Sequence, residues 1–96
     1  MIVMKILEAR FKVSISRQEY EKTANPQRYG SKWKLYGFNE DDSMGTGIYL
    51  FEDIEAMKAH MMDLRKIEQA IEYVSDLEMQ VWDVQEGLSK ITKAPI

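Results

Sequence analysis

The sequence contains no cysteine and a single histidine among its 96 residues. The missing cysteine excludes disulfide bonds, thiolate metal sites and cysteine nucleophiles, and it agrees with a reducing compartment. One histidine cannot form a histidine-rich metal site. We therefore expect no metal and a cytoplasmic location.

The sequence also lacks an excess of basic charge and a long apolar run. Lysine and arginine total 13 against 16 acidic residues, which gives a net charge of −3. Proteins that bind nucleic acids non-specifically need a basic surface, and membrane-spanning helices need about 20 apolar residues. Residues 1–8 reach charged side chains too early for a signal peptide. We expect neither a nucleic-acid partner nor a membrane partner.

The overall composition is that of an ordinary globular domain. Apolar residues make up 45% of the chain and charged residues 30%. A chain of this length buries roughly two-thirds of its unfolded surface when it folds alone. We expect one domain over residues 1–96, with a core that a second subunit could extend.

The first part of the chain predicts a strand followed by a short helix. Residues 2–15 alternate between apolar and polar side chains, as a strand with one buried face does. Ser16 and Glu19 then have the spacing of a capping box, which predicts a helix start. Asn25 and Pro26 end this helix, because the residue before proline avoids helical dihedrals.

The middle of the chain predicts a β-hairpin. Residues 31–38 and 47–51 are rich in aromatic and aliphatic side chains, and a polar loop over residues 39–45 separates them. Strands joined so closely are antiparallel neighbours. The loop oxygens could indicate calcium, but the glycine and distal glutamate of an EF-hand are missing, which favours a solvated turn.

The last part of the chain predicts a long helix and a fourth strand. Asp53 is the expected cap, and a break near residues 65–68 is unmarked by glycine or proline. Apolar residues recur at steps of three and four: Ile54, Met57, Met61, Leu64, Ile67, Ile71 and Val74. Alternation resumes from Leu77 to Val84, and residues 85–96 form a mixed tail.

The order strand, helix, strand, strand, helix, strand predicts an α+β, ferredoxin-like split βαβ fold with a four-stranded antiparallel sheet. Helices would cover one face of the sheet. The other face would still carry apolar residues, and a second copy of the chain could cover it in a homodimer. Leu88 and Ile91 would place the tail against that partner subunit.

Several motifs resemble those of the YdhR-type family, whose members are named putative mono-oxygenases. They are Trp33 to Tyr36, Gly45 to Phe51 with Asp53 after it, Trp82 to Val84, and Leu88-Ser89. The resemblance covers about residues 31–94. It implies a dimeric α+β barrel with a pocket between sheet and helices, and oxygenation of a small aromatic or polyketide-like compound without metal or flavin. The connection over residues 16–30 looks shorter than the first helix of the family, which implies a smaller or more open pocket.

An oxygenase of this kind must bind an aromatic compound, remove a proton and stabilise an anion. His60 and Tyr49 are the candidate catalytic residues. The candidate substrate-binding residues are aromatic or methionine side chains: Trp33, Tyr36, Phe51, Met57 and Met61. Trp33 and Tyr36 lie on opposite faces of a regular strand, whereas Tyr49 and Phe51 share one. The competing interpretation is that the aromatics and methionines are core packing and that His60 is a buried structural histidine.

Four functions remain open at this point. The first is a cofactor-independent mono-oxygenase, and the second is a non-catalytic homodimer that binds a small aromatic ligand. A third, known elsewhere in the superfamily, is haem binding with His60 as axial ligand. The fourth is an interaction dimer whose own side chains fill the cavity.

Overall fold

A computed structural model describes residues 3–96 of the chain. In chain order the elements are β1 (Lys5–Val13), α1 (Arg17–Thr23), β2 (Trp33–Phe38), β3 (Met44–Phe51), α2 (Ile54–Ala70), β4 (Val74–Asp83) and α3 (Glu86–Ile91). The predicted order of strands and helices is confirmed. The helix α3 was not predicted, since residues 85–96 were expected only to form a mixed tail.

The four strands form one antiparallel sheet in the order β2-β3-β1-β4. This is the predicted α+β architecture. The central strand β1 places Leu7 opposite Tyr49 on one side and Val81 on the other. None of the helices within residues 3–96 is long and apolar enough to cross a membrane.

The hydrophobic core lies between α2 and one face of the sheet. Its buried members come from three strands and α2: Leu7, Ala9, Tyr49, Phe51, Met57 and Leu77. On the opposite face Leu35 is 57% exposed and Trp82 is 54% exposed. The sheet therefore has one packed face and one open face that carries large apolar side chains.

Both predicted helix caps are present. The Ser16 hydroxyl accepts a hydrogen bond from the Glu19 amide at 3.2 Å. Asp53 Oδ1 accepts hydrogen bonds from the amides of Glu55 and Ala56 at 2.9 and 3.2 Å. These side chains satisfy amides that have no partner inside their own helix, and they fix where α1 and α2 begin.

Several element boundaries differ from the sequence prediction. β1 begins at Lys5 and ends at Val13, inside the expected range of residues 2–15, of which residue 2 lies outside the described part. β3 begins earlier, at Met44. α2 shows no break near residues 65–68 and ends at Ala70. Val74 was assigned to the apolar face of that helix, and this assignment is wrong, since Val74 begins β4.

A β-bulge in β4 explains the position of Val74. The pairing of β1 with β4 shifts register between Arg10 and Lys12, opposite Asp76, which has a left-handed φ of 52°. The extra residue reverses the alternation of side chains, so Leu77 and Val74 both reach the helix side of the sheet. A strict period of two would have placed Val74 on the open face.

Two side chains of α2 hold the backbone at this bulge. Arg65 Nη1 donates to the Leu77 carbonyl at 2.8 Å, and Glu68 Oε2 accepts from the Leu77 amide at 2.6 Å. A bulge interrupts the ladder of hydrogen bonds, and buried backbone groups need other partners. Arg65 and Glu68 therefore fix the position of β4 against α2.

The polar hairpin loop is attached to the start of α1. Asp42 accepts hydrogen bonds from the Arg17 amide at 3.1 Å and from Arg17 Nε at 2.7 Å. The Arg17 guanidinium also lies 5.6 Å from the centroid of the Phe38 ring. These contacts hold the loop between β2 and β3 against the helix that precedes it in the fold.

Candidate functional site

A cavity of about 250 Å³ lies between the helix face of the sheet, α1, the segment 24–29 and α2. Its walls are mostly aromatic and aliphatic, with a few polar groups. The aromatic members are Phe11, Tyr20, Tyr29, Tyr36, Tyr49 and Tyr73, and the others that matter below are Lys34, His60 and Glu68. The aromatic side chains line a space, so they do more than fill a core.

His60 sits on the α2 wall of this cavity with no hydrogen-bond partner. The residue is only 3% exposed, and neither Nδ1 nor Nε2 has a partner among the described residues. The Tyr29 ring stacks on the imidazole at 4.3 Å, and the Tyr49 ring meets it edge-on at 4.8 Å. A buried nitrogen without a partner costs about 1–3 kcal/mol, so its presence calls for an explanation.

The surroundings of His60 keep the imidazole neutral. Burial lowers the pKa of His60 to about 4, and the nearby positive charge of Lys34 acts in the same direction. The carboxylate of Asp63 opposes them weakly. At neutral pH one ring nitrogen therefore carries a proton and the other has a free lone pair, which suits both donating and accepting a hydrogen bond.

Lys34 reaches the same cavity from β2, and no acidic side chain of residues 3–96 forms an ion pair with it. Its Nζ instead lies 4.1, 4.7 and 5.4 Å from the ring centroids of Tyr36, Tyr49 and Tyr29. Burial lowers the pKa of Lys34 to about 8. Aromatic faces attract the ammonium group but do not neutralise it, so the charge is available to a ligand.

Tyr49, which belongs to β3, lies between His60 and Lys34. The residue is 1% exposed, and its hydroxyl makes no hydrogen bond to any described residue, although the hydroxyls of Tyr29 and Tyr73 each have one. Burial raises the pKa of Tyr49 well above its usual value of 10.0. The Tyr49 hydroxyl therefore stays protonated at neutral pH and can donate a hydrogen bond.

A strained turn holds Tyr29 over His60 and Lys34. Tyr29 has a left-handed φ of 54° and Gly30 follows with φ of 84°. Side chains larger than glycine are unfavourable in that region, at a cost of about 1–3 kcal/mol. The turn is closed by the Ser31 amide, which donates to the Arg28 carbonyl at 3.0 Å. Strain of this kind often marks a functional site, and here it places an aromatic ring against two polar groups.

Among residues 3–96, Glu68 is the one carboxylate on the cavity wall. Its two oxygens already interact with the backbone at the bulge and with Arg65. Its Oε2 accepts the Leu77 amide, while Oε1 lies 3.6 Å from Arg65. Thr23 and Tyr73 likewise bond to each other through their hydroxyls at 3.2 Å. The polar groups of the cavity that remain without a hydrogen-bond or ion-pair partner in residues 3–96 include Lys34, Tyr49 and His60.

The structure brings together some of the sequence-predicted site residues. His60, Tyr49 and Tyr36 line the cavity. Phe51 and Met57 belong to the buried core, and Met61 packs against that core. Trp33 does not reach the cavity. It lies on the other face of β2 from Lys34, and its indole Nε1 donates to the Pro95 carbonyl at 2.6 Å.

Sequence reasoning missed Lys34 and Tyr29. A signal for Lys34 existed, since it shares the parity of Tyr36 and Phe38 in β2, which makes it a charge on an otherwise aromatic face. Tyr29 had no such signal. It lies in the irregular segment before β2, and only the turn at Gly30 brings its ring over α2.

The donor set around the cavity gives little support for a bound metal or a large cofactor. Residues 3–96 contain no group of three or more histidine or acidic side chains arranged to hold a metal ion. The cavity of about 250 Å³ is also smaller than the roughly 300–1,000 Å³ of typical small-molecule and cofactor pockets. These dimensions favour a compact aromatic ligand over haem.

Comparison with known proteins places this chain in a family. Residues 6–95 match the profile of the family described as Putative mono-oxygenase ydhR. The match is broader than the residues 31–94 that the motifs indicated, and it includes the first strand and helix. A comparison with curated proteins gave no match. The chain therefore belongs to the ydhR family of putative mono-oxygenases.

Proposed function

We propose that the protein is a cofactor-independent mono-oxygenase that oxidises a small aromatic or polyketide-like compound in this cavity. The observation that carries the proposal is the buried His60 on the wall of an aromatic cavity, because its two ring nitrogens have no hydrogen-bond partner in the described part of the chain. A substrate with an acidic phenol or activated CH₂ group would supply the missing hydrogen bond. The family name supports the reaction class.

The reaction requires an electron-rich substrate but no external reductant. A base removes a proton from an activated CH₂ group, and the carbanion adds dioxygen to form a peroxide anion, which is protonated. Loss of the second C–H proton then breaks the O–O bond and yields a carbonyl and water. The carbon supplies all the electrons, so R₂CH₂ and O₂ give R₂C=O and H₂O.

The cavity provides groups for the two proton transfers. The free lone pair of neutral His60 can accept the first proton, provided that the substrate anion offsets the charge on the imidazolium. The Tyr49 hydroxyl remains protonated and can donate to the developing oxygen anion. The aromatic walls exclude water and stack on the ring of the substrate. Tyr36 and Tyr29 are the proposed stacking residues.

Oxygen consumption by the purified protein tests this function. Anthrone-like and quinol compounds are suitable substrates, and His60→Gln and Tyr49→Phe are the informative variants, because both keep the approximate size of the side chain. We expect uptake by the wild type and at least a ten-fold loss in each variant. Lys58→Met, on the exposed face of α2, serves as a control. No uptake by the wild type across the panel would contradict the proposal.

The second candidate is a non-catalytic protein that binds a small aromatic ligand. The low pKa of His60, about 4, favours it, because such a weakly basic imidazole is a poor general base. A thermal-shift screen separates the two functions, since a ligand that binds the folded state raises the melting temperature. Ligands that stabilise the protein without any oxygen consumption would select this candidate.

We also propose that the protein is a homodimer in the cytoplasm, formed through the open face of the sheet. Leu35 and Trp82 are exposed there, and Leu88 and Ile91 of α3 are 66% and 77% exposed. Apolar side chains grouped in this way favour an interface. The tail also contacts its own chain, because Pro95 accepts the hydrogen bond from Trp33.

Sedimentation equilibrium tests the dimer and the role of α3. The double variant Leu88→Ser and Ile91→Ser leaves the Trp33–Pro95 hydrogen bond in place, whereas deletion of residues 85–96 would remove it. We expect the double variant to raise the dimer dissociation constant by ten-fold or more. A monomeric wild type would contradict the dimer, and an unchanged constant would remove α3 from the interface.

A further inference from the structure

Gly47 forms the floor beneath two polar groups of the cavity. A Cβ placed on Gly47 would lie 3.2 Å from Lys34 Cε and 3.3 Å from the Tyr49 hydroxyl oxygen. The end of the lysine side chain and the tyrosine hydroxyl therefore converge above a residue of β3 that has no side chain. Gly47 has no left-handed φ, so its backbone conformation does not require glycine. What glycine provides at this position is the space above it.

The groups that converge above Gly47 are both hydrogen-bond donors. Lys34 carries a positive charge without an ion-pair partner, and Tyr49 has a hydroxyl without a hydrogen bond to residues 3–96. The titratable groups that line the same cavity come from several elements: Tyr20 of α1, Tyr29 of the segment before β2, Tyr36 of β2, His60 and Glu68 of α2, and Tyr73 just before β4. Glu68 is the only acid in this set, and the bulge backbone and Arg65 already hold its oxygens.

We infer that Lys34 and Tyr49 form an oxyanion-binding pair above Gly47, and that the cavity selects aromatic ligands with an acidic phenol or enol, which it binds in the ionised form. An ammonium group and a hydroxyl that converge in an apolar cavity match one negatively charged oxygen. The aromatic walls match the ring that carries this oxygen. The inference rests on the proposed function, because it names the substrate class of the same site.

The electrostatics of the cavity agree with the assignment of Lys34 and Tyr49 as an oxyanion-binding pair. Burial lowers the pKa of Lys34 to about 8, so the ammonium form is held in an environment that does not favour it. A bound oxyanion would restore a favourable partner and raise that pKa again. A neutral phenol would not provide such a partner, so the pKa of Lys34 would stay low. The ionised ligand is therefore bound in preference to the neutral one.

A chromophoric phenol tests this inference without any turnover. 4-Nitrophenol is suitable because it ionises near neutral pH and because its phenol and phenolate forms absorb at different wavelengths. The measurement is the absorbance spectrum of the bound probe at one pH unit below the pKa of the free probe. About one-tenth of the free probe is ionised under that condition, and we expect more than half of the bound probe to be ionised.

Variants separate the charge from the shape of the site. Lys34→Met should leave the bound probe neutral and weaken binding about ten-fold or more, whereas Lys34→Arg should keep it ionised. Tyr49→Phe should weaken binding about five-fold. Gly47→Ala should weaken it as well, because the new methyl group would lie close enough to Lys34 Cε and the Tyr49 hydroxyl to displace both side chains. Lys58→Met removes the same charge outside the cavity and should bind as the wild type does.

Three results would overturn the inference: no detectable binding, a neutral bound probe in the wild type, or an ionised bound probe in Lys34→Met. If Gly47→Ala fails to fold, Lys34→Met decides. Oxygen uptake reports separately on the proposed function. If the protein binds phenolate without consuming oxygen, the oxyanion pair is supported and the mono-oxygenase is contradicted. If it consumes oxygen but binds the probe in the neutral form, the mono-oxygenase is supported and the oxyanion pair is contradicted.

Discussion

We expect the protein to lose stability in mild acid, and we expect His60→Phe to remove a large part of that loss. His60 is the only histidine of the chain, so no other imidazole titrates in this range. Phenylalanine keeps an aromatic ring between Tyr29 and Tyr49, and leucine provides a smaller second variant if phenylalanine overpacks the site. Neither replacement can take up a proton.

The magnitude follows from the pKa of His60 in the two states. It lies at about 4 in the folded protein against an ordinary value of 6.5, and each pKa unit corresponds to about 1.4 kcal/mol. Because the folded pKa is the lower one, the unfolded chain binds the proton first as the pH falls. Stability is therefore complete above pH 6.5, declines between pH 6.5 and 4, and is lower by about 3 kcal/mol below pH 4.

Urea denaturation followed by tryptophan fluorescence measures this effect at fixed protein concentration. Between pH 7.5 and pH 5 the wild type should lose about 2 kcal/mol more than His60→Phe does. Carboxylates that titrate in the same range are common to both proteins, so their contributions cancel in the comparison. Proton NMR of the single imidazole should show no titration between pH 8 and 5. Equal pH dependence of the two proteins, or an imidazole titration near pH 6.5, would refute a dry and unpartnered His60.

Three further predictions concern Lys34, the bulge and Gly45. Lys34→Met should raise stability at pH 7 by about 1 kcal/mol, because it removes a buried charge and the lost cation–π attraction offsets only part of that relief. The gain should shrink toward pH 10, since the lysine of the unfolded chain then also begins to lose its proton. An equal gain at both pH values would contradict the low pKa of Lys34. Glu68→Met should cost about 1–3 kcal/mol in urea denaturation, because it leaves the buried Leu77 amide without an acceptor, while Glu68→Gln should cost less than half as much. Gly45→Ala should cost about 1–3 kcal/mol, because its Cβ would lie 2.7 Å from the Phe11 ring, and a Phe11→Leu background should reduce that cost.

The sequence was sufficient to predict the fold because its local signals agree with one another. Alternation identified β1, and the capping residues Ser16 and Asp53 marked the starts of both main helices, as the structure confirms. The short loop after Phe38 required an antiparallel hairpin. Each of these signals acts within a few residues, so no knowledge of distant contacts was needed.

The errors arose where a distant contact decides the local structure. Val74 continues the apolar period of α2, and nothing in its neighbourhood marks the bulge at Asp76, which is neither glycine nor asparagine. The bulge is stabilised by Arg65 and Glu68, which lie on another element. Lys34 was missed for the same reason, because only the register between β2 and β3 places it beside Tyr49 and leaves Trp33 on the other face of the sheet.

Three unfavourable features of this protein meet at the cavity. Within residues 3–96, His60 is buried without hydrogen-bond partners and Lys34 is a desolvated cation without an ion pair, and Tyr29 adopts a left-handed backbone conformation. Left-handed residues also occur elsewhere, at Asp42, Asp76 and Lys93. His60 and Lys34, however, both face one space of about 250 Å³. A ligand that carries a ring and an acidic oxygen would relieve the first two costs at once and would contact the ring that the third one positions. The same features that lower the stability of the protein would thus form the basis of the proposed ligand binding and chemistry.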